Sequence, residues 1–144
     1  MFFGEYNHTI DAKGRLIVPA KLREQLGEAF VVTKGMDGHC LSVYPMEEWK
    51  ILEEKLRALP LNDPDGRLLT RYLMAGAVFC ELDKQGRVLI PSVLREFAQL
   101  EKEVVLAGSM DHVEIWNKQR WQDINTVDDI GDVLSRLQQK GINL

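Results

Sequence analysis

No stretch of this sequence stays apolar for the roughly 18 residues that a membrane-crossing helix needs. The opening M-F-F-G-E-Y-N-H lacks the basic region, apolar stretch and small-residue cleavage site of a secretory signal, so the expected location is the cytoplasm. Cysteine is scarce: Cys40 and Cys80 are the only two in 144 residues, and both sit in apolar runs. They read as buried free thiols in a reducing compartment, not as a disulfide framework. An excess of positive charge is also missing. The net charge is −4, which argues against a simple nucleic-acid binder without excluding one, because affinity depends on where the cations sit.

Signatures of catalysis are absent as well. There is no P-loop, no G-x-G-x-x-G and no G-x-S-x-G. His39 and His112 stand in corresponding hairpins, but their neighbours Cys40 and Val113 do not match and no second ligand follows at metal-site spacing. His8 stands alone. Glu47–Glu48 and Glu53–Glu54 read as a solvated helix face in preference to an acid–base pair. Hence no catalytic residue, metal site, cofactor or small-molecule substrate is expected, and no membrane association.

What the sequence does have is a repetition. D-A-K-G-R-L-I-V-P-A-K-L-R-E (residues 11–24) returns 72 residues later as D-K-Q-G-R-V-L-I-P-S-V-L-R-E (residues 83–96). Asp, Gly, Arg, Pro, Leu, Arg and Glu recur in register. Self-similarity at a fixed offset means two copies of one supersecondary unit. With 45% hydrophobic and 28% charged residues, the chain is large enough for one soluble domain or two small units sharing a core.

Each copy reads as strand, tight turn, strand, short helix, strand, hairpin, strand, longer helix. In the first copy the strands fall at 6–10, 15–18, 30–33 and 41–44, with helices at 20–26 and 46–59. The turn-rich L-N-D-P-D-G at 61–66 is the linker candidate. A helix-like stretch at 67–74 and a strand at 77–82 open the second copy. It continues through 87–90, 93–97, 104–107 and 113–116 to a helix from 118, where Trp121 matches Trp49. Residues 127–139 read as an extra amphipathic helix without a counterpart. The expected units are 1–60 and 67–126, joined by 61–66 and followed by a helical tail at 127–144. Asp123, Asp128, Asp129 and Asp132 make that C-terminal region acidic. Trp49, Trp116 and Trp121 read as core or interface residues, and Phe2 and Phe3 as side chains tucked into the body or a neighbouring subunit.

The recurring D-x-x-G-R has a backbone explanation for four of its residues. A type I turn favours Asp first and Gly fourth, and a glycine at positive φ supplies the bulge that closes a twisted hairpin. Asp11, Gly14, Asp83 and Gly86 therefore read as loop-shaping. Nothing in such a turn requires Arg15 or Arg87. They are either surface arginines paired with the neighbouring Asp, or groups whose donor fork suits phosphate and the guanine edge. The residues alone leave both readings open. Arg23 and Arg95, each followed by Glu, read as a solvated helix face, with phosphate contact as the minority alternative.

The tandem motifs D-A-K-G-R-L-x-V-P and D-K-Q-G-R-V-x-I-P resemble the swapped-hairpin units of AbrB-like regulators and MazE-type antitoxins. With M-F-x-G at the start, Tyr44-Pro45 and Trp49 after the first hairpin, and Trp121 in the second half, nearly the whole chain resembles the MraZ family. The resemblance implies an α+β fold: a β-rich, pseudo-dimeric swapped-hairpin barrel built from two tandem repeats, with peripheral helices. It implies a transcriptional regulator that binds promoter direct repeats near the division and cell-wall gene cluster as a ring-shaped homo-oligomer, associated with the nucleoid. DNA contact then maps onto Arg15 and Arg87, with Lys13 and Lys84 at the phosphates. Gln85 stands where Lys13 would recur, so the second loop departs from the pattern. A ring would also answer the charge problem, because several weak sites reading tandem repeats gain by effective concentration. The rival reading is a protein-interaction module, antitoxin-like or scaffold, without direct DNA readout.

Overall fold

The computed structural model describes residues 1–127 and 129–144. The first copy supplies strands β1 (Glu5–Thr9) and β2 (Arg15–Ile17), helix α1 (Ala20–Leu26), strands β3 (Ala29–Lys34) and β4 (Leu41–Pro45), and helix α2 (Met46–Arg57). Helix α3 (Pro64–Ala75) follows. The second copy runs through β5 (Val78–Glu81), β6 (Arg87–Leu89), α4 (Ser92–Phe97), β7 (Glu103–Gly108), β8 (Val113–Asn117) and α5 (Lys118–Val127), and α6 (Ile130–Gln139) ends the chain.

Local chemistry accounts for the boundaries. Pro19 and Pro91 precede α1 and α4, where a missing N–H costs nothing. Gly27 ends α1 at φ 78°, its N–H donating to the Arg23 carbonyl. In α2, Glu47 and Glu48 occupy the first turn and Lys55 and Arg57 the last, each sign matching the helix dipole. Asp63 caps α3 by accepting from the N–H groups of Asp65 and Gly66, so this helix begins inside the turn-rich stretch.

The strands cross between the copies. A six-stranded sheet runs β1-β7-β8-β4-β3-β5, antiparallel throughout its ladders. Thus β1 of the first copy pairs with β7 of the second, and β5 of the second pairs with β3 of the first. At the centre Leu41 faces Ile115, Ser42 faces Glu114 and Val43 faces Val113. A separate ladder pairs Arg15 with Leu89, Leu16 with Val88 and Ile17 with Arg87. Both registers are symmetric under the 72-residue offset, so a pseudo-dyad runs between Leu16/Val88 and Ser42/Glu114.

Alternation sorts side chains between two faces of the sheet. Phe30, Val32, Val104 and Leu106 join Leu16, Val88, Leu22 and Leu94 in the main core. On the opposite face Val31 and Tyr44 pack with Trp49 of α2, while Cys40, Val105 and Trp116 pack with Trp121 of α5. Because both faces are covered, β3, β4 and β7 are nearly continuous in burial. Cys40 and Cys80 are buried free thiols. Burial pushes both up, Cys80 to about 11, so neither is a thiolate at neutral pH.

Several details differ from the reading of the residues. The described strands do not close into a hydrogen-bonded barrel. β2 and β6 are three residues long, and Pro19 and Pro91 end them before they can join the larger sheet. Phe2 is buried through a bridge to Met110, but Phe3 is 72% exposed. The expected helix at 127–139 is divided: α5 runs to Val127, residue 128 lies outside the described residues, and Asp129 caps α6 through the N–H groups of Gly131 and Asp132. No described helix is long and apolar enough to cross a membrane.

Candidate nucleic-acid interface

The ladder of β2 and β6 has an inner and an outer face. Leu16 and Val88 point inward and are 0% and 2% exposed. With a period of two, Arg15, Ile17, Arg87 and Leu89 share the outer face. Ile17 and Leu89 are 49% and 57% exposed there. Arg15 and Arg87 lie diagonally across the ladder, their Cα atoms roughly 8 Å apart by ideal strand spacing.

Each arginine is held by its own loop. In the first, Gly14 N–H donates to the Asp11 carbonyl at 3.0 Å, and Asp11 N–H donates to the Arg15 carbonyl at 3.0 Å. One carboxylate oxygen of Asp11 accepts the N–H groups of Lys13 (3.0 Å) and Arg15 (2.9 Å), and the other accepts Arg15 Nε at 2.6 Å. The second loop repeats the set. Asp83 accepts the N–H groups of Gln85 and Arg87, each at 2.9 Å, and Arg87 Nε at 2.8 Å. The backbone N–H of Arg15, helped by its guanidinium, holds the Asp11 carboxyl below the usual carboxylate range, and Arg87 does the same to Asp83.

The Asp therefore shapes the turn and restrains the arginine together. Only Nε of each guanidinium is engaged by the aspartate, and the Nη groups of Arg15 and Arg87 have no protein partner among the described residues. The side chains are 33% and 25% exposed. A restrained, partly exposed guanidinium retains its outer donors for an external acceptor. Lys13 and Lys84 are exposed beside it.

Arg23 and Arg95 are not a solvated helix face. Arg95 donates Nε to the Ile90 carbonyl at 2.9 Å, and its guanidinium lies over Gly14, where an added Cβ would stand 2.9 Å from its Cζ. Arg23 covers Gly86 in the same way, and a side chain there would collide with it. Each loop glycine has positive φ, 89° and 75°, and is also the floor for an arginine from the other copy. The loops are cross-tied besides: Ile90 N–H donates to the Gly14 carbonyl and Val18 N–H to the Gly86 carbonyl. Each loop thus carries a Lys, its own Arg and one Arg from the opposite copy, a local basic cluster on an acidic chain. The recurrence of L-R-E in both copies was the sequence signal for Arg23 and Arg95.

The histidines do other work. His112 stacks on Tyr44 at 5.1 Å, with Nδ1 2.6 Å from Asp111 and Nε2 3.5 Å from Glu114. Burial depresses its pKa, but Glu114 and Asp111 outweigh that and raise it above the ordinary histidine value. Under the 72-residue offset the equivalent of His112 is Cys40, not His39, and the β4–β8 register sets Tyr44 opposite it. Among the described residues no group of three or more His, Cys, Asp or Glu is placed to hold a metal ion.

The fold and its loops define a class: an α+β chain that exchanges strands between two internal copies and displays one Arg-bearing loop from each on a shared ribbon. The comparisons with known proteins agree with that class. The family model described as "MraZ protein, putative antitoxin-like" matches residues 1–72 and again 73–130. A "Transcriptional regulator MraZ" of Desulfitobacterium hafniense (strain Y51) is 62% identical over 123 residues, 85% of each chain. A protein of the same name from Caldanaerobacter subterraneus subsp. tengcongensis is 56% identical over 130 residues, 90% of each. One from Lachnoclostridium phytofermentans is 52% identical over 143 residues, 99% of each. The chain belongs to the MraZ family, whose members are named as transcriptional regulators and not as enzymes.

Proposed function

We propose that this chain is a transcriptional regulator that binds DNA in a sequence-specific manner through the β2–β6 ribbon. The observation that carries the reading is the outer face of that ribbon, where Arg15 and Arg87 are restrained by Asp11 and Asp83 but keep free Nη donors. The major groove admits a two-stranded ribbon, and Arg matches the O6/N7 edge of guanine. Exposed Ile17 and Leu89 supply apolar contact beside the arginines. Lys13, Lys84, Arg23 and Arg95 neutralise flanking phosphates and set the register. Asp11, Gly14, Asp83 and Gly86 shape the two loops.

The two units, 1–60 and 67–126, act as the halves of one swapped-hairpin module, with 61–66 joining them and 127–144 as a tail. One protomer presents few cations, so the promoter direct repeats are read by a ring-shaped homo-oligomer, in the cytoplasm at the nucleoid. The target is the promoter region of the division and cell-wall gene cluster, as the family resemblance implies. No cofactor or small-molecule substrate takes part.

The test is a titration of a promoter fragment carrying the repeats against one with scrambled repeats, across about 50 to 200 mM salt. The reading expects preference for the repeats and an affinity that falls steeply with salt. Equal, salt-insensitive binding of both fragments contradicts it. The second reading, a protein-interaction module, draws on the exposed apolar stripe of α6. It gains ground if a tight protein partner co-purifies while neither fragment binds.

A further inference from the structure

Two apolar surfaces of this chain have no covering partner among the described residues. One is an open groove of about 810 Å³ between α2 and α3, lined by Leu56, Leu59, Leu61 and Met74 among others. Leu61 is 92% exposed and Met74 37% exposed. The other is α6, where Ile130, Val133, Leu134 and Leu137 follow helical spacing and none is buried. The geometry points to these as two halves of one contact: α6 of one protomer seats in the α2/α3 groove of a second copy. This rests on the homo-oligomer proposed above and names its contact surface.

The reason α6 does not settle on its own sheet lies in its relation to α3. α6 follows α5 as α3 follows α2, and at an offset of 65 the two helices align. Gly66 and Gly131 correspond, as do Thr70 and Ser135, and each hydroxyl donates to its glycine's carbonyl, at 2.8 and 3.1 Å. The chain therefore has a counterpart of α3 in its second half. What differs is the anchor. α3 is tied down by fully buried Leu73, by Thr33 Oγ1 donating to the Leu73 carbonyl, and by Tyr72 hydroxyl donating to the Gly35 carbonyl. The corresponding residues of α6 are Gln138 and Leu137. A polar side chain replaces the buried leucine and an apolar one replaces the hydroxyl, so α6 keeps an apolar stripe but loses its site in cis.

Size and charge fit the groove. A ten-residue helix is about 15 Å long, and the two twelve-residue helices of the groove are about 18 Å. The groove rim carries Arg57, Arg67 and Arg71 against a single carboxylate, Glu53. The first turn of α6 carries Asp132 behind the Asp129 cap. With about 3.6 residues per turn, Asp132 lies on the side of α6 away from the apolar stripe and Asp129 at its edge, so seating the stripe brings the Asp129 end of the helix to the arginine-bearing rim. Because groove and helix are different patches, the contact is heterologous and runs head to tail, which generates a ring when the rotation closes.

The test uses the full chain. Ile130→Glu with Leu134→Glu alters exposed side chains, so the circular dichroism and urea midpoint of the wild type should persist while the mass in solution falls from the ring to one or two chains. If the wild type is itself a single chain, the homo-oligomer reading fails and this contact fails with it. If the wild type is a ring and the double variant has the same mass, the contact alone is overturned. Cysteine placement gives an independent readout, since Cys40 and Cys80 are buried. Under mild oxidation Leu134→Cys/Met74→Cys should give a ladder of linked chains, and neither single variant should. A dimer band from Leu134→Cys alone would mean that α6 pairs with α6, which also overturns the contact.

Discussion

The first copy holds Gly14, Gly27 and Gly38 at positive φ, 89°, 78° and 81°. Seventy-two residues on, the second copy also has positive φ at each place, but with Gly86 (75°), Gln99 (53°) and Met110 (68°). Only the first position keeps glycine in both copies. An added Cβ at Gly27 or Gly38 meets nothing within 4 Å, so a side chain there meets only the torsional cost of the left-handed region. At Gly14 and Gly86 it meets an arginine from the other copy. Glycine is retained where the halves touch and has been replaced where a side chain finds open space. The conserved pair marks the paired loops and not turn geometry in general.

That contrast is sharpest in substitutions at the loop glycines. At Gly14 a Cβ would meet the Ile90 backbone carbonyl at 2.9 Å as well as Arg95, and the backbone cannot easily give way. Gly14→Ala should cost about 2–4 kcal/mol in urea unfolding, strain plus overpacking. At Gly86 the obstacle is the movable end of Arg23, so Gly86→Ala should cost about 1–2 kcal/mol, the torsional part. Equal costs would break the distinction. In the opposite direction, Gln99→Gly should stabilise by up to about 1 kcal/mol, because it relieves positive φ at a helix end. A loss of stability there would mean that the Gln99 side chain matters, although the hydrogen bonds of this residue run through its backbone, its N–H donating to the Glu96 carbonyl at 3.1 Å and its carbonyl accepting from Asn117 Nδ2 at 2.7 Å.

The loops also differ in charge. Lys13 and Gln85 occupy the same turn position. Gln85→Lys should steepen the salt dependence of DNA binding by about one phosphate equivalent per loop, and Lys13→Gln should flatten it by as much. No change in either would remove that position from the phosphate contacts.

The smallest effect concerns the hairpins. His112 has two carboxylates about it, and the corresponding residue of the first copy is Cys40. The raised folded-state pKa of His112 means that its contribution is fully present below about pH 6.5 and is lost as pH rises through the folded value. The unfolding free energy of the wild type, read from urea titrations, should therefore fall with rising pH in that window, by less than about 1 kcal/mol, while His112→Asn should be flatter. A parallel decline in both proteins would assign the slope elsewhere.

Much of the architecture was legible because its causes are local. Runs of β-branched residues, Pro before α1 and α4, and D-x-x-G turns all act over a few residues. The exchange of β1 and β5 between copies is different in kind: the pattern of a strand states its buried face, not its neighbour, so the pairing came from family resemblance alone. Arg23 and Arg95 were misread because helix-surface logic sees only their own helices, whereas their partners, Gly86 and Gly14, lie in the opposite copy. The kinship of α6 with α3 was hidden by a change of offset from 72 to 65 after the shorter α5. Phe2 and Phe3 could not be told apart because both are apolar residues at one end of the chain, and only the Met110 bridge selects Phe2.

The most direct test of the central claim is a titration of the promoter repeats with Arg15→Ala/Arg87→Ala. Both side chains are partly exposed and replace no core contact, so the variant should stay folded and keep the wild-type mass in solution. With each guanidinium contributing about 1–3 kcal/mol of base contact, specific binding should weaken by roughly 30-fold or more. A folded variant of unchanged mass that binds the repeats as the wild type does would contradict the account.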